Sequence, residues 1–150
     1  MNNLVDTGMI KKLYEASQAG VTIKLIIRGI CSLIPGVPGL SDNITCVSVV
    51  GRFLEHSRIM VFCNDNKPLY YLSSADWMTR NIDHRIEVTA PIYSPVLKAE
   101  IQDYLDIQLD KNAKARIVDK SLKNDYIKPI KGFKAFDTQM AFYDKLKKMQ

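Results

Sequence analysis

The sequence predicts an α/β domain built on a mixed β-sheet flanked by helices. Three observations carry that expectation. An amphipathic stretch ends at Gly20 and gives way at once to the largely β-branched run Val21-Thr22-Ile23-Lys24-Leu25-Ile26-Ile27, a helix–turn–strand unit. Short apolar runs then recur between Thr45 and Ala90, separated by turn-forming residues. Two longer helical stripes follow over 94–109 and 137–149, so strands and helices must pack in layers. At 150 residues and 47% hydrophobic content, the chain fits a single domain with its own core.

Taken in order, Asp6 or Thr7 can cap a first helix running to about Ala19, with Ile10, Leu13 and Tyr14 on one face. Gly20 supplies the left-handed residue that ends it. The strand over 21–27 reads as central and buried. From 29 to 44 the chain carries Gly29, Pro35, Gly36, Pro38, Gly39 and Asp42-Asn43, a loop long enough to be functional or mobile. A second strand is expected at 45–50, a third at 58–62 and a fourth at 69–72, the last two joined as a hairpin by Asn64-Asp65-Asn66-Lys67. Ser74 or Asp76 is placed to cap a short helical turn over 77–80, with Trp77 as a core anchor, and 85–90 alternates as a further strand. Pro91 and Pro95 bracket the entry to the helix at 94–109, which shows Val96, Leu97, Ile101 and Leu105 on one stripe. A short strand at 115–118 and a helix over 137–149 complete the chain.

Composition excludes several classes. The apolar runs are too short to cross a bilayer and no basic-then-apolar leader opens the chain, so a cytoplasmic protein is expected, with membrane association left open. Cys31, Cys46 and Cys63 lack Cys-x-x-Cys spacing and lie in or beside apolar segments, which suggests buried free thiols rather than a zinc site or a disulfide. Asp6, Asp42, Asp65 and Asp76 are not clustered, so no metal held by protein ligands alone is expected. No Gly-x-x-x-x-Gly-Lys-Ser/Thr loop occurs. The formal charge of +5 would attract a polyanion, yet charge alone does not choose among polyphosphate, nucleic acid and an anionic membrane.

The residues suited to chemistry cluster at His56 and Arg58. In an extended segment, positions i and i+2 share a face, so this imidazole and guanidinium would form an anion site, the alternative for His56 being a hydrogen-bonded structural role. Arg28 closes the strand at 21–27 and precedes the long loop, where open α/β sheets place ligand contacts, although periodicity fits a surface arginine beyond the sheet edge equally well. Glu87, two residues after Arg85, is a candidate to orient His56, or a histidine supplied from outside this chain, through a hydrogen bond, or simply to pair with Arg85.

Three blocks resemble the bacterial polyphosphate kinases, the ATP-polyphosphate phosphotransferases. They are Leu13-Tyr14-Glu15-Ala16-Ser17 through Ile27-Arg28-Gly29-Ile30-Cys31-Ser32-Leu33-Ile34-Pro35-Gly36-Val37, then Val50-Gly51-Arg52-Phe53-Leu54-Glu55-His56-Ser57-Arg58-Ile59, then Leu72-Ser73-Ser74-Ala75-Asp76-Trp77-Met78-Thr79-Arg80-Asn81 with Arg85-Ile86-Glu87-Val88. The resemblance implies that residues 1–150 form one C-terminal, catalytic-half domain of a longer enzyme, with a fold similar to phospholipase D. That enzyme would reversibly transfer the γ-phosphate of ATP to inorganic polyphosphate through a phosphohistidine carried by an earlier domain. His56 matches the family's second histidine, and Arg28 and Arg85 match phosphate-binding positions; Arg58, on the same face as His56, is a possible orienting residue read from the spacing alone. The implied partners are ATP or ADP, polyphosphate and the remaining domains of the same enzyme, as a homo-oligomer, with Mg2+ arriving on the nucleotide and no nucleic acid. The fragment alone is expected to be inactive. Two rival readings remain: a polyanion-binding module without chemistry, and a phospholipase D-like phosphodiesterase half-site, which the His-x-Arg spacing at 56–58 disfavours.

Overall fold

Ten secondary-structure elements follow one another in a computed structural model that describes residues 1–149. Helix α1 (Thr7–Gln18) begins where the buried Asp6 carboxylate accepts the Met9 amide at 2.9 Å. It terminates at Gly20, whose φ of 88° suits only glycine. Strands β1 (Ile23–Ile26) and β2 (Ile44–Ser48) run parallel with Leu25 opposite Cys46, and the two-residue β6 (Arg116–Ile117) joins β2 antiparallel. The order β1-β2-β6 places β1 at an edge, which corrects the central position expected for it. Between β1 and β2 the irregular loop is closed on itself. Fully buried Ser41 donates to the Ile34 carbonyl at 2.7 Å and accepts the Val37 amide at 2.9 Å.

The remaining strands form a second sheet rather than joining the first. β3 (Ile59–Phe62) and β4 (Leu69–Ser73) make the expected hairpin, with Ile59 opposite Leu72. Its turn holds Asn64, Asp65 and Asn66 at φ of 46°, 52° and 60°, a left-handed conformation that Asn and Asp tolerate best among side-chain-bearing residues. β5 (Thr89–Ile92) completes the order β3-β4-β5. The strand expected over 85–90 therefore starts later, because the Ser74 hydroxyl takes the Val88 amide at 3.0 Å and the ladder begins only at Thr89. Pro91 sits inside β5, where an edge strand can do without its N–H. Helix α2 (Thr79–His84) also departs from expectation: Met78 precedes it with no side-chain cap, because Asp76 is engaged elsewhere.

Helix α3 (Pro95–Gln108) follows Ser94, whose hydroxyl accepts the Leu97 amide, and α4 (Thr138–Met149) follows Asp137, whose carboxylate accepts the Gln139 amide at 3.0 Å. The two helices meet through an edge-on Tyr104–Phe142 contact with centroids 5.0 Å apart and a Lys145–Asp103 ion pair.

Leu4, Ile10, Leu25, Ile27, Leu33, Ile44 and Cys46 form the main core, with Trp77 packed against it as anticipated. Burying each large aliphatic side chain there contributes about 1.5–3 kcal/mol. A smaller cluster gathers Val49, Ala113 and Ala115. Of the three thiols only Cys46 is buried; Cys31 is half-buried and Cys63 exposed, which corrects the expectation of three buried thiols. A further pairing was not legible in the sequence. Residues 1–4 run parallel to residues 26–32, with Arg28 N–H donating to Met1 C=O at 3.3 Å, Leu4 to Ile30 at 2.9 Å and Ser32 to Leu4 at 2.8 Å. Among the described residues no helix is long and apolar enough to cross a membrane.

Candidate functional site

His56 lies in a segment over 52–58 that has no regular secondary structure, so its position depends on side-chain tethers. Three hold it. The first comes from α4, where the Gln139 carboxamide accepts the Phe53 amide and donates to the Phe53 carbonyl, both at 2.8 Å. That grip needs glycine two residues earlier, because a Cβ on Gly51 would lie 2.3 Å from Gln139 Oε1. The second comes from α3, whose Tyr104 hydroxyl and Gln108 amide donate to Glu55 Oε2 at 2.5 and 2.7 Å. Burial, and then the bonded Glu55 carboxylate, push the Tyr104 phenol up to about 12, which keeps it a donor across the physiological range. The third is the ion pair of Arg58 with Asp76, Nε to Oδ1 at 3.2 Å.

Asp76 is the hub of the site. Its carboxylate, 3% exposed, also accepts the amides of Asn2 and Asn3 at 2.9 and 3.2 Å and Arg58 Nη2 at 3.4 Å. Burial pushes its carboxyl up, but the Arg58 hydrogen bond and the Asn3 and Asn2 amides outweigh burial and hold it below the usual value. Arg58 Nη2 in turn lies 3.3 Å from His56 Nε2. A guanidinium only donates, so that contact requires a lone pair on Nε2 and puts the imidazole proton on Nδ1. On the other side of the hub, Asn2 Oδ1 accepts Arg28 Nε at 2.9 Å. A continuous polar chain thus runs His56–Arg58–Asp76–Asn2–Arg28, which brings together two of the three phosphate-site positions anticipated from the sequence.

Arg28 uses only Nε in this chain, and among the described residues its terminal nitrogens make no hydrogen bond, which leaves an open fork suited to an oxyanion. Arg85 stands apart. It caps α2 in extended backbone, is exposed, and makes no hydrogen bond or ion pair among the described residues. Its link to the rest is electrostatic through Glu87. Hydrogen bonds from Ser74 and Asn81, and then the charges of Arg85 and Arg58, hold the Glu87 carboxyl below its usual value. Glu87 itself accepts from Ser74 Oγ and from Asn81 Nδ2, the latter at 2.6 Å, and makes no hydrogen bond to His56 among the described residues.

Sequence reasoning missed Asn2, Gln139, Tyr104 and Gln108, and assigned Asp76 to capping. None carries a local signal: the Asn2–Asp76 bond spans 74 positions and the Phe53–Gln139 bond 86. Among the described residues no group of three or more His, Cys, Asp or Glu is placed to hold a metal ion. The convergent donors are guanidinium and imidazole, which fit phosphate or carboxylate oxygens and not a hard cation.

These features define an α/β domain with an imidazole and guanidiniums ordered around one buried carboxylate. The family described as polyphosphate kinase C-terminal domain 2 matches residues 1–139, and the chain belongs to that family. It is similar to the polyphosphate kinases of Vibrio cholerae serotype O1, 54% identical over 150 residues, and Escherichia coli K12, 48% identical over 150 residues. Each match covers 100% of this chain but only 21% and 22% of the relative, so the chain spans about a fifth of the length of its curated relatives. The crystal structure of polyphosphate kinase from Porphyromonas gingivalis aligns over 99% of this chain and 23% of its own, with a TM-score of 0.93 and 48% identity.

Proposed function

We propose that residues 1–150 act as one domain, the C-terminal catalytic half of a polyphosphate kinase, and supply the phosphate-binding side of its active site. In this reading the parent enzyme transfers the γ-phosphate of ATP reversibly to inorganic polyphosphate through a phosphohistidine borne by another domain. The observation that carries the proposal is the polar chain from His56 through Asp76 to Arg28, an arrangement that fixes cationic donors in advance of an anionic ligand.

Phosphoryl transfer asks little covalent chemistry of the protein and much charge stabilisation. Arg28 would receive phosphate oxygens on its free fork, and exposed Arg85 would close on a second phosphate of ATP, ADP or the polymer. Arg58, committed to Asp76, orients His56, whose Nδ1–H is then free to donate to the transferring group or to the departing oxygen. Mg2+ would accompany the nucleotide, where it neutralises phosphate charge, and the residues of this chain are not suited to hold it. The remaining domains of the enzyme, in a homo-oligomeric assembly in the cytoplasm, would complete the site.

The test replaces His56 by Ala in the full-length enzyme and measures ATP synthesis from ADP and polyphosphate alongside polyphosphate retention on a filter. Turnover should fall by about a hundredfold or more while retention persists. Unchanged turnover would leave a polyanion-binding module as the better reading. The 150-residue chain alone should not turn over, and robust activity from it would overturn the split site.

A further inference from the structure

The free edge of β1 opens onto a groove of about 380 Å³. Its lining includes Lys24 and Ile26 of β1, Ile59 and Val61 of β3, and Leu105 of α3 with Leu109 just beyond that helix. β3 is likewise the outer strand of its own sheet, so two unpaired sheet edges border one half-apolar groove. Exposed edges of this kind are normally blunted or covered.

The backbone specifies what would cover this one. At the start of β1 and just past its end, the amides of Ile23 and Ile27 point to the β2 side, bonding the Asn43 and Val47 carbonyls at 2.8 and 2.9 Å. By strand alternation the amides of Lys24, Ile26 and Arg28 point the other way, into the groove. Arg28 is already served there by Met1 C=O, and Met1 N reaches Ile26 C=O at 2.9 Å. Residues 1–4 thus form the beginning of a parallel ladder whose direction, continued backwards, runs along Ile26, Lys24 and Thr22 and into the groove.

We propose that this groove is a strand-addition site. Its occupant is the stretch of polypeptide immediately before Met1 in a polyphosphate kinase of the relatives' length, laid parallel to β1. The relatives are about five times as long as this chain, which supplies such a stretch. In that register the residue two positions before Met1 accepts the Ile26 amide and donates to the Lys24 carbonyl. Its side chains alternate between the two faces of the bridged sheet, beside the apolar lining that Ile59, Val61 and Leu105 provide, which calls for an apolar, β-branched segment. The added strand lies between the free edges of β1 and β3 and bridges the two three-stranded sheets. The proposal is independent of any chemical role for His56.

Amide hydrogen exchange, resolved by residue, tests it. In the full-length enzyme the Ile26 amide should be protected to within about tenfold of Leu25, whose amide faces β2. In the 150-residue chain Ile26 should exchange about a hundredfold or more faster than Leu25. Fast exchange at Ile26 beside a protected Leu25 in the full-length enzyme would overturn the proposal, and that comparison stands even if the short chain folds poorly. Protection of Ile26 in the short chain that rises with its concentration would also overturn it, by naming a second copy as the occupant.

Discussion

Replacing Asp76 by Asn removes one negative charge from a position that is 3% exposed and preserves its shape. The carboxamide oxygen can keep the Asn2 and Asn3 amides, which lie 2.9 and 3.2 Å from Oδ1. The new NH2 group then confronts Arg58 Nη2, a donor facing a donor at what is now 3.4 Å, while Arg58, its side chain 16% exposed, keeps its charge. Breaking a buried ion pair by removing one partner costs about 3–5 kcal/mol. The retained amide bonds and the partial solvent access of Arg58 reduce this to about 2–4 kcal/mol, or about 1–2 M in urea midpoint at ordinary denaturant slopes. Asp76 has its folded pKa depressed, so its contribution is complete above the unfolded carboxylate value and is lost as pH falls through the folded one. The gap between wild type and variant should therefore be widest near neutrality and shrink below about pH 4. Urea unfolding followed by circular dichroism at both pH values measures it. A midpoint shift under about 0.3 M at neutral pH, or a gap that stays constant into acid, would refute the hub assignment.

Gln139→Ala removes both bonds to the Phe53 backbone and should destabilise the chain by about 1–2 kcal/mol, with faster amide exchange confined largely to residues 51–57. Slower or unchanged exchange there would show that the segment does not depend on α4. Cysteine alkylation should proceed at exposed Cys63 and half-buried Cys31 and spare Cys46 until the chain unfolds. The hydrogen bond from Cys46 lowers the Cys31 thiol to about 7, while the same contact and burial push Cys46 up, so Cys31 labelling should persist at pH 7.5, read by peptide mass.

Elements with a strong local signal were legible from residues alone. Asp6 and Gly20 bound α1, and Asn64-Asp65-Asn66 makes the hairpin turn, because caps and left-handed turns are decided by side chains a few positions apart. The strand at 85–90 was misplaced because alternation alone does not specify a partner, and Ser74 claims the Val88 amide before the ladder can begin. For the site, periodicity put His56 and Arg58 on one face, and they do meet, although in irregular backbone and not in a strand. What holds them is illegible locally: Asp76, Tyr104, Gln108 and Gln139 act across the fold, and each looks in the sequence like an ordinary cap or helix residue.

Gln139 reads the main chain of residue 53, not its side chain, and the space it occupies is the space a side chain on residue 51 would need. Drift at the phenylalanine is therefore invisible to the carboxamide. Positions 51 and 139 are instead locked as a pair: a bulkier residue at one is admissible only with a shorter one at the other, and that exchange would forfeit the grip on the histidine segment.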